Sequence, residues 1–118
     1  MLVERNIASA HRDTSLLLAD KVYPVYAVLF DSSIQYFVSE ERSFSFPFFV
    51  AAQAVNLIDT KLPDFMHISP ALLGTEKCSS RAPMIGFFEI VTDRFFYQRL
   101  VDGDMQATLV WNELKASI

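Results

Sequence analysis

Few side chains in this sequence are of types that do chemistry, and their spacing forms no known catalytic pattern. The histidines are His11 and His67, and the single cysteine is Cys78. His67 follows Asp64 by three residues, so one helical turn would bring its imidazole near a carboxylate able to orient a general base. Such pairs arise often by chance. We therefore interpret His67 as a surface or hydrogen-bonded structural histidine.

Cys78 stands beside Lys77 and near Arg81, and neighbouring cations lower the pKa of a thiol. A cysteine nucleophile also needs a histidine brought close by the fold, and the spacing supplies none. One cysteine and two isolated histidines give no paired zinc spacing. We therefore favour an inert Cys78 and predict no catalytic residue, no metal site and no cofactor.

Phosphate chemistry is disfavoured by the shortage of glycine. The chain has 3 Gly, and neither of the common glycine-rich phosphate loops is present. Asp102 and Asp104 flank Gly103 like part of a calcium loop, but alternating oxygen ligands do not follow. A turn and a helix cap explain this segment better. The sequence favours binding over catalysis, and we predict that the protein is not an enzyme.

The charge distribution narrows the classes of partner. The formal net charge is −4, and acidic and basic residues are spread over both halves of the chain. There is no basic stripe of the kind that binds nucleic acid, and an acidic chain is not attracted to anionic membranes. The longest uncharged stretch, 43–58, is shorter than the roughly 20 residues of a membrane span. A basic protein is the partner that this charge mildly favours.

Phenylalanine is the most over-represented side chain, with 11 copies. Phe44, Phe46 and Phe48 alternate around Pro47, directly after a charged segment. If these rings enter the core they are packing residues, which is the interpretation we favour. If they lie on the surface, they form an apolar patch of the kind that marks a binding site.

The apolar pattern predicts a β-hairpin early in the chain. Residues 22–30 are all apolar or proline, which is typical of a strand buried on both faces. Turn-forming residues follow at Asp31, and residues 33–39 then alternate as a half-buried strand does. This hairpin is the firmest structural prediction.

The rest of the chain mixes helices and strands. Apolar residues at helical spacing predict a helix over 47–59, with Pro47 in its first turn. Residues 84–91 have the composition of a strand. Residues 94–101 are assigned to a further strand, with a short helix as the alternative. Helical spacing resumes over 105–116, where Asp104 is the expected N-cap.

Together these elements predict one α+β domain over residues 1–118. The strands form a mostly antiparallel sheet, and helices cover at least one of its faces. No Gly- or Ser-rich linker divides the chain.

The function expected from these features is that of a cytoplasmic inhibitor or immunity protein that neutralises a cationic toxin or nuclease. Carboxylates would steer the basic partner and buried aromatic rings would hold it. The predicted contacts flank turns or lie in the phenylalanine cluster: Asp31, Glu40, Glu41, Phe44, Phe46, Asp102 and Asp104.

Two alternatives remain open. The first is an α+β domain with a Phe- and Met-lined pocket for a small apolar molecule. The second is an acidic secretion or assembly chaperone that binds an unfolded segment along a groove or sheet edge. The oligomeric state is left open as well.

Overall fold

The fold is known from a computed structural model, which describes residues 1–40, 47–62, 66–69, 83–93 and 95–117. The strands are β1 (Leu2–Arg5), β2 (Val22–Phe30), β3 (Ile34–Val38), β4 (Phe48–Ala51), β5 (Val55–Asp59), β6 (His67–Ile68) and β7 (Met84–Gly86). The helices are α1 (Phe88–Thr92), α2 (Phe96–Val101) and α3 (Met105–Ala116). Every strand pairing among these described residues is antiparallel. The prediction of an α+β fold with a mostly antiparallel sheet is confirmed.

The long strand β2 organises the sheet. Along one edge it pairs with β3, and along the other edge it pairs first with β1 and then with β7. Residues 23–28 of the apolar run are buried, with side chains packed on both faces of the sheet as predicted, whereas Val22 at its start is exposed. The hairpin prediction is also confirmed, with β3 one residue shorter at each end than expected.

A bulge in β2 explains how this one strand serves two cores. The register with β3 shifts between Val25 and Ala27, so Tyr26 is an extra residue on β2. A bulge of this kind puts two successive side chains on the same side of the sheet. Tyr26 and Ala27 accordingly pack into one core, whereas Val25 and Val28 pack into the other.

The sheet curls, and the connection between β4 and β5 shows why it must. In the strand order β4-β3-β2-β1-β5 these two strands lie at opposite ends. In a flat sheet they would be about 19 Å apart. The chain from Ala51 to Val55, a short 3₁₀ turn at Ala52–Ala54, spans at most about 14 Å. The two ends of the sheet are therefore drawn together.

The curled sheet encloses an aliphatic core on its inner side, called here the enclosed core. It is rich in β-branched side chains, which suit a pleated, buried surface. Its buried members are Val3, Leu17, Tyr23, Val25, Val28, Tyr36, Val38, Val50, Ala54 and Val55.

The outer side of the sheet packs against the three helices, forming what we call the helix-covered core. Large side chains dominate here: Tyr26, Phe37, Met84, Phe87, Ile90, Phe96, Leu100, Trp111 and Leu114, with Ala27, Val91 and Ala107. The Trp111 ring is 4.7 Å from that of Tyr26 and 5.9 Å from that of Phe37, measured between centroids.

Gly86 allows β7 to approach β2 closely at the bulge. A Cβ atom at this position would lie 2.6 Å from the Cβ of Ala27 and 2.7 Å from the carbonyl oxygen of Tyr26. Such contacts are far inside van der Waals distance, so glycine is required here by space.

The predicted helix over 47–59 is wrong. This segment forms β4, the 3₁₀ turn and β5. Phe49 and Val50 point to the two different cores, as successive residues of a strand do. Ladder hydrogen bonds to β3 and β1 satisfy the backbone, and this tertiary pairing overrides the helical spacing of the apolar residues.

The predicted strands over 84–91 and 94–101 are also corrected. Only Met84–Gly86 is strand, and α1 begins at Phe88. The residues that follow Gly86 bury Phe87, Ile90 and Val91 in one core, at helical spacing. The second segment forms α2, the alternative that the sequence had left open. Its buried residues Phe96 and Leu100 lie one turn apart.

The helix over 105–116 is confirmed with the predicted bounds, as α3. The side chain of Asp104 caps it by accepting a hydrogen bond from the Ala107 N–H at 2.9 Å. Trp111 and Leu114 are buried in the helix-covered core, as the spacing predicted.

Candidate functional site

The predicted acidic contacts do not gather on one surface. Asp31 is exposed in the turn between β2 and β3, where its Oδ1 accepts a hydrogen bond from the Ser32 N–H. Glu40 lies beyond the other end of β3, which rises about 17 Å over its five residues. Glu41, Phe44 and Phe46 lie outside the described residues, so their prediction stays untested.

Asp102 and Asp104 lie together at the corner between α2 and α3. The Asp102 Oδ1 accepts a hydrogen bond from the Gln98 Nε2 at 3.0 Å. The Asp104 Oδ2 caps α3 and lies 3.5 Å from the Arg99 Nη1. Gly103 makes the turn with φ of 79°, a left-handed conformation that favours glycine.

Exposed apolar side chains surround this acidic corner. Val101 ends α2 and is 55% exposed, while Met105 and Leu109 on α3 are 77% and 53% exposed. Met105 and Leu109 lie one turn apart on the face of α3 opposite its buried residues, of which Trp111 is one. We call these five residues, Val101, Asp102, Asp104, Met105 and Leu109, the corner patch.

Arg99 partly neutralises the carboxylates behind the corner patch. Its Nη2 donates a hydrogen bond to the Asp93 Oδ2, and its Nη1 lies near Asp104. One guanidinium between two carboxylates leaves this cluster with a net charge of −1, and Asp102 adds a further negative charge.

The far end of α3 has a different character. Burial lowers the pKa of the Lys115 ammonium, and the nearby Glu40 carboxylate partly opposes that shift. Since α3 is about 18 Å long, Glu40 and Asp104 lie near opposite ends of this helix. Glu40 is therefore not part of the corner patch.

A second feature is a pocket of about 200 Å³ between the sheet and the short helices, called here the aromatic pocket. Six elements and the α1–α2 linker contribute to it, and four of its residues belong to the buried helix-covered core. Its lining is Leu29, Phe37, Phe49, Met84, Ile90, Asp93, Phe96 and Tyr97.

The rings of the aromatic pocket hold one another in place. Phe37 and Phe49 are a cross-strand pair whose rings stack at 4.7 Å. The Tyr97 ring is nearly perpendicular to both, at 5.7 Å from Phe37 and 5.4 Å from Phe49. Stacked and edge-to-face contacts of this kind are favourable arrangements of aromatic quadrupoles.

Among the described residues that line the aromatic pocket, Asp93 is the one carboxylate. It follows α1, and its Oδ1 accepts a hydrogen bond from the Phe95 N–H at 3.0 Å. Its Oδ2 accepts from Arg99, which is not among the lining residues. The carboxylate is thus held in a fixed position at the edge of an apolar cavity.

The sequence did not single out Asp93 or Phe37, and it placed Tyr97 in a predicted strand. Phe49 was assigned to a helix, and no local signal connects these residues because they come from β3, β4, the α1–α2 linker and α2. The sequence-based expectation nearest to this pocket was a general one, drawn from composition, of a Phe- and Met-lined pocket.

The histidines show no catalytic arrangement among the described residues. The His11 Nδ1 accepts a hydrogen bond from the Asp13 N–H at 3.1 Å and so caps the 3₁₀ turn Arg12–Leu16. His67 is exposed, and its ring contacts that of Phe88 at 5.3 Å. Asp64 and Cys78, its suggested partners, lie outside the described residues.

Within the described ranges, no helix is long and apolar enough to cross a membrane. The same part of the chain holds no group of three or more His, Cys, Asp or Glu side chains placed to bind a metal ion. Comparison with protein-family models, curated proteins and solved structures finds no match to this chain.

Proposed function

We propose that this protein is a non-enzymatic binding domain that docks onto a basic protein through the corner patch. Its action would be that of an inhibitor or immunity protein, which masks the functional surface of a cationic toxin or nuclease. The observation that carries the proposal is the exposure of Met105, 77%, on a surface that also presents Asp102 and Asp104.

The apolar part of the corner patch supports the affinity of such a contact. Val101, Met105 and Leu109 project from two helices that are anchored by buried residues of the helix-covered core. Because their helices are fixed, little backbone conformational entropy is lost on binding. Methionine adapts its shape to a partner surface more readily than branched side chains do.

The acidic part of the corner patch supports the choice of partner. Asp102 and the Asp93–Arg99–Asp104 cluster give this corner a negative charge next to its apolar side chains. Negative charge steers a basic protein toward the patch and raises the association rate. It also repels acidic proteins, which would otherwise be attracted by the apolar residues alone.

The size of a standard interface sets how far the contact extends. Each partner buries about 800 Å² in such an interface, which is more than three apolar side chains supply. The outward face of α3 continues from Leu109 through Asn112 to Ala116, all exposed and without charge. The contact would follow this face along the helix.

The test is to capture a partner and then ask whether it uses the corner patch. The immobilised chain is incubated with lysate at low salt, eluted at high salt, and the eluted protein is identified and purified. Its affinity is then measured for the wild type and for the triple variant Val101→Ser, Met105→Ser, Leu109→Ser. We expect a basic protein whose affinity falls at least about 100-fold, as loss of a central apolar cluster predicts.

A matched triple variant controls for a general loss of surface hydrophobicity. Ile7, Leu16 and Leu18 are also exposed apolar residues but lie outside the corner patch. Their replacement by Ser is expected to leave the affinity unchanged. Equal losses in both triple variants, or no captured protein, would contradict the proposal.

The acidic contribution is tested separately through kinetics. Asp102→Asn removes a charge, and Asp104→Ser removes a second charge while keeping an N-cap oxygen. The double variant is expected to bind the captured partner more slowly at low salt, with a similar dissociation rate. An unchanged association rate would remove the carboxylates from the proposal.

A further inference from the structure

The geometry points to a second binding site: we propose that the aromatic pocket binds a small arylalkyl amine. Such a ligand has one aromatic ring and a short chain that ends in an ammonium group. The ring would enter between Phe37, Phe49 and the short helices, and the ammonium would face Asp93.

The volume of the pocket decides the size of the ligand. An apolar cavity of about 150 Å³ accommodates benzene. The aromatic pocket, at about 200 Å³, therefore has room for one ring and two or three further heavy atoms. Larger ring systems would have to displace the stacked pair Phe37 and Phe49.

The lining decides that the body of the ligand is apolar. Leu29, Met84 and Ile90 present aliphatic or thioether groups, and aromatic rings form much of the remaining wall. A ligand ring can pack edge-to-face against these rings, and a cation at its end is attracted to their faces.

The charge near the pocket determines which polar group the ligand carries. Asp93 lines the cavity, and its cluster with Arg99 and Asp104 carries a net negative charge. A carboxylate has about four acceptor positions, and Phe95 and Arg99 use two of them here. An ammonium can use the acceptor capacity that remains, whereas a carboxylate ligand would be repelled.

The experiment compares three probes of the same shape and different charge. 2-Phenylethylamine, 2-phenylethanol and phenylacetate are titrated into the full chain at neutral pH, followed by NMR chemical shifts. For ligands this small we expect a Kd of about 1 mM for the amine. The alcohol should bind at least about 5-fold more weakly and phenylacetate more weakly still, because one charge-assisted contact distinguishes them.

A filled pocket tests whether the probes bind at this place. Leu29→Phe adds a ring to a partly buried lining position and is expected to abolish binding of the amine and of the alcohol. Leu57→Phe adds the same ring at an exposed position of β5, outside both proposed sites, and should leave binding unchanged. Binding that survives Leu29→Phe in a folded protein would overturn the assignment of the site.

Asp93→Asn tests the charge preference, and Asp20→Asn, at an exposed position outside both proposed sites, is its control. The first variant should bind amine and alcohol about equally, and the second should keep the wild-type preference. Since Asp93 also contacts Phe95 and Arg99, a salt titration of the wild type provides a measurement without a variant. High salt should weaken the amine and not the alcohol.

Each outcome of these titrations either supports or overturns the proposal. Amine binding that is lost in Leu29→Phe and loses its charge preference in Asp93→Asn supports the proposal. No binding of any probe at about ten times the expected Kd, or binding of phenylacetate as tight as that of the amine, overturns it. These readouts need no protein partner, so they are independent of the corner patch.

Discussion

The two faces of one sheet have been filled in different ways. The enclosed core consists largely of valines from neighbouring strands, whereas the helix-covered core consists of aromatic rings and long side chains from strands and helices. β-Branched residues in register fill a curled sheet closely. Side chains from helices of five and six residues leave space against the strand side chains, and the aromatic pocket lies there.

The two faces of the sheet differ in role: one contributes mainly to stability, and the other carries both candidate binding sites. The enclosed core holds the curl of the sheet. The helix-covered core carries the aromatic pocket, and its outer surface carries the corner patch. A protein organised in this way can vary its binding side while β1 to β5 keep their packing.

Truncating one large ring should show how much the helix-covered core depends on it. Trp111 is buried against Tyr26 and Phe37. Trp111→Ala is expected to lower the free energy of unfolding by about 3–5 kcal/mol, from lost burial and the cavity left behind. Urea denaturation followed by circular dichroism measures the change.

Val50→Ala gives the matching value for the enclosed core. This valine is fully buried, and its truncation should cost about 2 kcal/mol. If both variants lose the same amount, the two cores would not differ in the way we describe.

The junction between the two faces is tested at Gly86. Gly86→Ala places a methyl group against Ala27 and the Tyr26 carbonyl, so β7 must move away from the bulge. Overpacking of this kind is expected to cost about 3 kcal/mol, measured by thermal or urea unfolding.

Gly103→Ala is the control, because a Cβ there meets nothing within 4 Å. Its cost arises only from the positive φ and should be about 1 kcal/mol. A larger loss at Gly103 than at Gly86 would show that the close approach of β7 is not limiting.

The N-cap of α3 should have a smaller effect. Asp104→Ala leaves the Ala107 N–H without its acceptor and is expected to cost about 1 kcal/mol. Asp104→Ser restores a capping oxygen and should recover most of this loss. If Ser and Ala are equally destabilising, the charge near Arg99 matters more than the cap.

The smallest predicted effect is on how the stability of the protein changes with pH under alkaline conditions. Burial raises the pKa of the Tyr36 phenol above its ordinary value of 10.0. In the unfolded chain this phenol ionises first, so the folded protein binds more protons above pH 10 and its stability falls with rising pH. Tyr36→Phe should reduce that fall, as measured by urea unfolding between pH 9 and 11.

Lys115, on α3, is expected to have the opposite effect on how stability changes with pH. Its folded pKa is lowered, so between that pKa and 10.5 the unfolded chain binds more protons and stability rises with pH. Lys115→Met should remove this rise. Equal slopes in the wild type and both variants would contradict both assignments.

Local sequence signals were sufficient to predict β2 and α3, because the pattern that identifies each of them lies within its own segment. The uninterrupted apolar run predicted β2, because a strand buried on both faces has no polar positions. Asp104 and the spacing of Trp111 and Leu114 predicted α3, because a capped helix with one buried stripe is specified by neighbours three and four residues apart.

The structures of segment 47–59 and of the candidate sites depend on residues that are distant in the sequence. Phe48–Ala51 and Val55–Asp59 are strands because β3 and β1, distant in the sequence, complete their hydrogen bonds. The prediction of a helix there could not include those partners.

By itself, the sequence determined the fold class, the central strand and the last helix, along with an acidic charge and a lack of obvious catalytic groups. The tertiary structure alone decided the curl of the sheet, the pairing of Phe37 with Phe49, and the placement of Asp93 and Tyr97 beside them. The physical reason is that strand pairing and cavity shape depend on contacts between distant segments, whereas caps and helical stripes depend on adjacent residues.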